Sequence, residues 1–157
     1  MVLKEISSEN REDINSFIQE HWYSTEMVLR GQIVDMTTVA GIVAYEDEKI
    51  IGLLTYEIKN GECEILSLDS LVQNKGIGSR LIDCVYRVAK KATCSRIKLI
   101  TTNDNINAIK FYQKRGFDMV RIYRNALDIS RKIKPSIPII GDFGIPLKHE
   151  IEFEMNL

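Results

Sequence analysis

Long apolar runs are missing from this sequence: none approaches the ~18 residues that a membrane-crossing helix requires. Cysteine is scarce. Cys63, Cys84 and Cys94 are odd in number and form no Cys-x-x-Cys pair, which excludes a disulfide framework and a zinc ribbon. Histidine is scarcer still, and His21 and His149 stand too far apart in sequence to complete a ligand set, so no metal site is expected. An excess of charge of one sign is also absent: Lys plus Arg number 21 against 22 for Asp plus Glu, a net charge of −1. Non-specific nucleic-acid binding needs a counterion-releasing basic surface, so no nucleic-acid partner is expected. Gly/Ser/Pro-rich linkers and internal repeats are lacking. The opening Met1-Val-Leu-Lys-Glu-Ile-Ser-Ser has no apolar signal-peptide core, and the expectation is a reduced, cytoplasmic protein away from the membrane.

What remains is ordinary globular composition, 45% apolar and 27% charged over 157 residues, which fits a single domain spanning 1–157. Asn10 and Asp13 mark a helix start, with Ile14, Phe17, Ile18, His21 and Trp22 on one face. From Ala40 the period changes to that of strands. Ala40–Glu46, Lys49–Lys59 and Glu62–Ser70 read as an antiparallel meander joined by Asp47-Glu48 and Asn60-Gly61, the latter a strong hairpin signal. A helix over Gly76–Ala92 carries Ile77, Leu81, Val85, Val88 and Ala89 along one stripe. A strand at Arg96–Thr102, a helix at Asn105–Arg115 closed by Gly116, and a strand at Phe117–Tyr123 follow. The tail holds all three prolines (Pro135, Pro138, Pro146); it reads as a long ordered loop before a last strand near Lys148–Met155. This order indicates an α/β domain with a mixed, mostly antiparallel sheet flanked by helices.

The informative stretch runs from Leu68 through Gln73-Asn-Lys-Gly76-Ile-Gly78-Ser79, from a strand end through a glycine turn into a helix. Backbone N–H groups at a helix start, made approachable by glycines, suit a phosphate. A Rossmann fingerprint needs glycine where Leu81 stands, and a P-loop needs Gly-Lys-Ser/Thr where Gly78-Ser79-Arg80 stands, so both fail. The pattern Gln/Arg-x-x-Gly-x-Gly is met by Gln73, Gly76 and Gly78 and resembles the pyrophosphate signature of the GNAT family, the acyl-CoA-dependent N-acyltransferases. A second stretch, Asn105-Ile-Asn-Ala108-Ile-Lys-Phe111-Tyr112-Gln-Lys114-Arg-Gly116-Phe117, resembles the other GNAT signature at every fixed position. The resemblance covers Ala40–Tyr123 well and the first helix loosely; beyond Arg124 it extends only to a closing strand.

The resemblance implies a GNAT fold, with the strand Glu62–Ser70 splayed from Ile97–Thr101 so that acyl-CoA enters the gap. It implies acetyl-CoA as co-substrate, with its pyrophosphate on Gln73, Asn74, Lys75, Gly76, Ile77, Gly78 and Ser79. The pantetheine arm pairs with the strand backbone at Leu66 and Leu68, as an added strand does. Asn105, Ala108 and Tyr112 share one helix face: Asn105 bonds the cofactor, Ala108 lets the arm pass, and Tyr112 is the general acid for the leaving thiolate. Packing beside Phe111 and Ile109 is the alternative role for Tyr112.

The resemblance implies that the acceptor is an amine of a small molecule or peptide. An alkyl ammonium of pKa ~10.4 is neutral in about one part per thousand near pH 7.4, a penalty of roughly 4 kcal/mol, part of which a base, or a water chain ending on one, would recover. Glu62 and Glu64 share a strand face, and either fits that role; charged residues on a solvent face are the plain alternative. By family analogy the segment after His21-Trp22-Tyr23 frames the acceptor, although a lone tryptophan also suits the core. Ile133–Leu147, basic at its start through Arg131, Lys132 and Lys134, reads as an acceptor-site cover or, through Ile137, Ile139, Ile140 and Phe143, as a homodimer contact. Direct transfer in a ternary complex is expected, because no cysteine or serine stands in a nucleophile context. A CoA-binding domain without catalysis is the alternative from another class.

Overall fold

The alternation between Ala40 and Ser70 folds as the meander it predicts. The computed structural model describes residues 1–157 and orders them as β1 (Val2–Glu5), α1 (Arg11–Trp22), β2 (Glu26–Leu29), β3 (Gln32–Asp35), β4 (Ala40–Glu46), β5 (Lys49–Lys59) and β6 (Glu62–Ser70). Then follow α2 (Ile77–Lys91), β7 (Arg96–Thr102), α3 (Ile106–Lys114), β8 (Asp118–Tyr123), α4 (Ala126–Ile133) and β9 (Glu150–Asn156). No helix is long and apolar enough to cross a membrane.

Residue contacts gather into two compact units. The first comprises Met1–Glu26, Asp35–Ile97 and Leu157, and the second Met27–Val34 and Lys98–Asn156. In the first, strands run β1-β4-β5-β6 and on to the start of β7, antiparallel from β1 to β6. Both meander turns hold two residues at positive φ, Asp47 (49°) with Glu48 (63°) and Asn60 (53°) with Gly61 (72°), the hairpin geometry whose twist matches paired strands. α2 turns Ile77, Leu81, Ile82, Val85 and Ala89 into the core. Each large aliphatic among them contributes about 1.5–3 kcal/mol by leaving water.

In the second unit the order is β7-β9-β8, with β9 antiparallel to β8 although the two are far apart in sequence. Phe153 on β9 is fully buried, and Phe117 nearly so. The region after Arg124 departs from the expected plain loop. Asn125, at φ 58°, turns the chain into α4, which buries only Leu127 and Ser130 while Ile129 and Ile133 stay exposed. Ala126, Ile129 and Ile133 do fall at helical spacing, but over only eight residues so short a pattern does not stand out from a loop. β1 and the β2–β3 hairpin were likewise unexpected: strands of four residues are too short for alternation to stand out.

Candidate active site

β6 carries the first group of candidate residues, and its register has an irregularity. Tyr56 pairs with Ile65 but Thr55 pairs with Ser67, so Leu66 is an extra residue on β6, a β-bulge. The bulge changes which side chains share a face. Glu62, Glu64, Ser67 and Asp69 lie opposite Lys59, Glu57, Thr55 and Leu53, which are alternate residues of β5 and therefore project to one side. Cys63, Ile65, Leu68 and Ser70 take the other side. Glu62 and Glu64 share a face as expected, and Ser67 and Asp69 join them.

These four polar residues have different surroundings. Glu62 is ion-paired with Arg96, whose Nε donates to Oε2. Glu64 is buried, at 8% exposure. Ser67 and Thr55 hydroxyls are hydrogen-bonded at 2.6 Å. Asp69 receives the Trp22 indole N–H on Oδ1 at 3.2 Å, while its buried Oδ2 has no hydrogen-bond partner. Burial pushes the Asp69 carboxyl above its ordinary range; the Trp22 bond and the charge of His21 pull part of the way back. His21 stacks on Phe17 at 4.1 Å and its Nδ1 donates to the Phe17 carbonyl at 3.0 Å. Sequence reasoning passed over Asp69, although a signal was present. In Cys63-Glu-Ile-Leu-Ser-Leu-Asp69 the doublet Ile65-Leu66 reverses the phase of the alternation, as an inserted residue must.

From Ser70 the chain enters the glycine loop, where Gln73, Asn74, Lys75 and Gly76 are exposed. Asn74 and Gly76 adopt left-handed conformations, φ 63° and 68°, and a side chain on Gly76 would meet nothing within 4 Å. Gly76 caps α2 without a side-chain hydrogen bond, and no acidic residue lies in the first turn. Arg80 N–H bonds the Gly76 carbonyl at 3.1 Å, so the turn of Ile77, Gly78 and Ser79 presents the positive end of the helix dipole to an open loop. Lys75 pairs with Glu46 at 3.4 Å at the surface. An open, uncapped, glycine-lined helix start fits a pyrophosphate.

The second unit holds the other signature. Asn105 caps α3 through its side-chain oxygen, which accepts the Ala108 N–H at 3.3 Å. That leaves the Asn105 Nδ2 group as the donor for any ligand. Ala108 is half-buried and Tyr112 is 7% exposed. The Tyr112 ring meets Phe111 and Phe117 edge-on at 5.4 and 5.6 Å and Phe153 at a tilt at 6.0 Å, so its orientation is fixed by aromatic packing.

The segment Ile133–Leu147 is held within the second unit by Asp104, which the sequence did not single out, and by Arg131, one of the basic residues at its start. Asp104, 6% exposed, accepts the Thr102 hydroxyl at 2.5 Å and the Asp142 N–H at 2.9 Å. Arg131 donates to the carbonyls of Ile137 (3.4 Å), Pro138 (2.8 Å) and Leu147. Ile139 and Phe143 remain 72% and 71% exposed at the tip of this ordered loop. No trio of His, Cys, Asp or Glu is gathered as metal ligands would be.

Residues 4–117 match the family model described as Acetyltransferase (GNAT) family. Uncharacterized protein YdhI of Bacillus subtilis (strain 168) is 45% identical over 141 residues, 89% of this chain and 88% of its own length. Uncharacterized protein YxbD of the same strain is 42% identical over 139 residues, 88% and 87% of the two lengths. Among solved structures, an IAA acetyltransferase from Bacillus cereus ATCC 14579 is similar at TM-score 0.69 and 20% identity over 99% of both chains. A GNAT family acetyltransferase from Elizabethkingia anophelis with acetyl-CoA bound gives TM-score 0.69 at 20% identity over 99% of this chain and 97% of its own. A Bacillus subtilis acetyltransferase in complex with CoA gives 0.67 at 18% identity, again over 99% and 97%. At these identities the structural likeness is one of fold.

Proposed function

The chain belongs to the acetyltransferase (GNAT) family, and we propose that its 157 residues form one catalytic domain that moves acetyl from acetyl-CoA directly to an amine of a small molecule or peptide. The observation that carries this reading is the uncapped α2 start behind a left-handed Gly76, reached straight from β6. Acetyl-CoA brings a thioester, a pyrophosphate and an amide-bearing arm. Gln73–Ser79 hold the pyrophosphate and the backbone of Leu66 and Leu68 pairs with the arm; Asn105 and Ala108 are cofactor residues by the second signature. Calorimetry with acetyl-CoA, followed by thiol-release assays across a panel of amines, tests the reading. Binding without thiol release from any amine points to the non-catalytic module.

Direct transfer draws support from the state of the one cysteine on β6. Cys63 is fully buried, and its thiol is pushed up to about 12, chiefly by burial, then by Cys94 and Glu64. A thiol in that state supplies almost no thiolate near neutral pH and is a poor covalent carrier. Cys63→Ala should therefore keep turnover within a few-fold and show no acyl-enzyme burst in stopped-flow; a hundredfold loss of chemistry in a folded variant would assign Cys63 a covalent role.

Tyr112 acts at the other end of the reaction, protonating the departing thiolate. A thiol of pKa ~8.5 leaves tolerably unaided, so the contribution is modest. Tyr112→Phe should lower kcat about tenfold with little change in KM for acetyl-CoA, because the hydroxyl acts on charge that develops only in the transition state. An unchanged kcat, with chemistry shown to limit the rate, reduces Tyr112 to a packing residue.

A further inference from the structure

We infer that Asp69 is the carboxylate that takes the proton from the acceptor amine, and that this amine is an alkylammonium; the inference rests on the acetyl-transfer reading above. Three observations support it. The bulge at Leu66 places Asp69 on the same sheet face as Glu62 and Glu64, beside the backbone assigned to the arm. Glu62, the obvious competitor on that face, is held in an ion pair by Arg96. At Asp69 the Trp22 N–H engages Oδ1 and fixes the carboxylate, while Oδ2 is buried and lacks a hydrogen-bond partner. An acceptor oxygen left in that state costs free energy unless something donates to it, and an ammonium N–H is a donor of the right charge.

The groups facing Asp69 are Trp22 and His21 on α1, Leu53 on β5 and Ser67 on β6. Burial raises the Asp69 carboxyl, which moves it toward the range in which a carboxylate accepts a proton usefully. The ammonium passes one proton to Oδ2 and becomes a neutral amine. Its lone pair then forms the C–N bond to the thioester carbonyl carbon, and the C–S bond breaks with its electron pair on sulfur. Tyr112 gives its proton to that sulfur and is restored by the second N–H proton through solvent, and Asp69 returns its own proton to solvent. Atoms and charge balance without any further reactant.

The test compares wild type, Asp69→Asn and Trp22→Phe in thiol release across pH, with alkylamines and with arylamines, which are already neutral at pH 7. Asp69→Asn should lower kcat for alkylamines ~100-fold near neutral pH and replace the acidic limb by a rise that continues toward the ~10.4 of the amine itself, while leaving acetyl-CoA affinity and any arylamine transfer within about threefold. Trp22→Phe should retain the limb and move it to higher pH, because the lost N–H had favoured the carboxylate form. Equal losses for both amine classes in Asp69→Asn would make the residue purely structural and overturn the inference. So would an acidic limb that keeps its wild-type position in Asp69→Asn and moves toward the amine's own value in Glu64→Gln. The wild type judges the underlying reading separately: failure to bind acetyl-CoA, or to release thiol with every amine, refutes acetyl transfer itself.

Discussion

Replacing Gly78 by glutamate should abolish acetyl-CoA binding and leave the protein folded. Gly78 lies in the first turn of α2, which has no side-chain cap and no acidic residue of its own. A glutamate there is favourable to the free protein, because a negative charge near a helix start is worth about 0.3–1 kcal/mol. The same charge opposes a bound pyrophosphate. At ~5 Å and an effective dielectric of ~20, repulsion is about 3 kcal/mol per unit charge on the ligand, a loss of roughly 200-fold or more. Titration calorimetry with acetyl-CoA reads the loss, and thermal melting confirms an unchanged or slightly raised Tm. Unchanged affinity would move the pyrophosphate away from Gln73–Ser79.

Replacing Gly141 by alanine should destabilise the loop before β9. A Cβ built on Gly141 would stand 2.1 Å from Asp104 Oδ2, the atom that accepts the Asp142 N–H at 2.9 Å. Either the loop or the carboxylate must move, and the bond between them breaks. Overpacking costs about 1–3 kcal/mol, and a buried acceptor left without its donor about as much again. A loss near 3 kcal/mol lowers Tm by roughly 6–12 °C for a chain of this size. Adding Asp104→Ala removes the two atoms struck hardest, Oδ2 and Cγ at 2.1 and 2.6 Å, and leaves only Cβ at 2.9 Å, so Gly141→Ala should cost much less on the Asp104→Ala background than on the wild type. Additive losses would mean that the contact does not hold the loop.

Much of the molecule was legible before any coordinates. The meander bounds at Ala40–Glu46, Lys49–Lys59 and Glu62–Ser70 coincide with β4, β5 and β6, because alternation and the intervening hairpin turns are local properties. The same holds for α2, whose stripe from Ile77 to Ala89 is the face it buries. The two signatures pointed to the family, which the match over residues 4–117 bears out. Strands of four residues and a helix of eight are too short for their periodicity to stand out, and β1, β2, β3 and α4 are not legible for that reason.

The composition of the β6 face is different in kind. A strict period of two puts Glu62 and Glu64 on one side and Asp69 with Cys63 on the other. The doublet Ile65-Leu66 hints at a break but cannot say which residue is extruded. That depends on the partner strand: Thr55 pairs with Ser67 and Tyr56 with Ile65, and the bond between the Thr55 and Ser67 hydroxyls accompanies that register. Only then does Asp69 reach the glutamate face and meet Trp22, a residue 47 positions earlier in the chain. The local alternation determined the strand. Pairing across strands, which no local pattern encodes, decided which carboxylates share a side, which one is held by Arg96, and which one meets the Trp22 N–H.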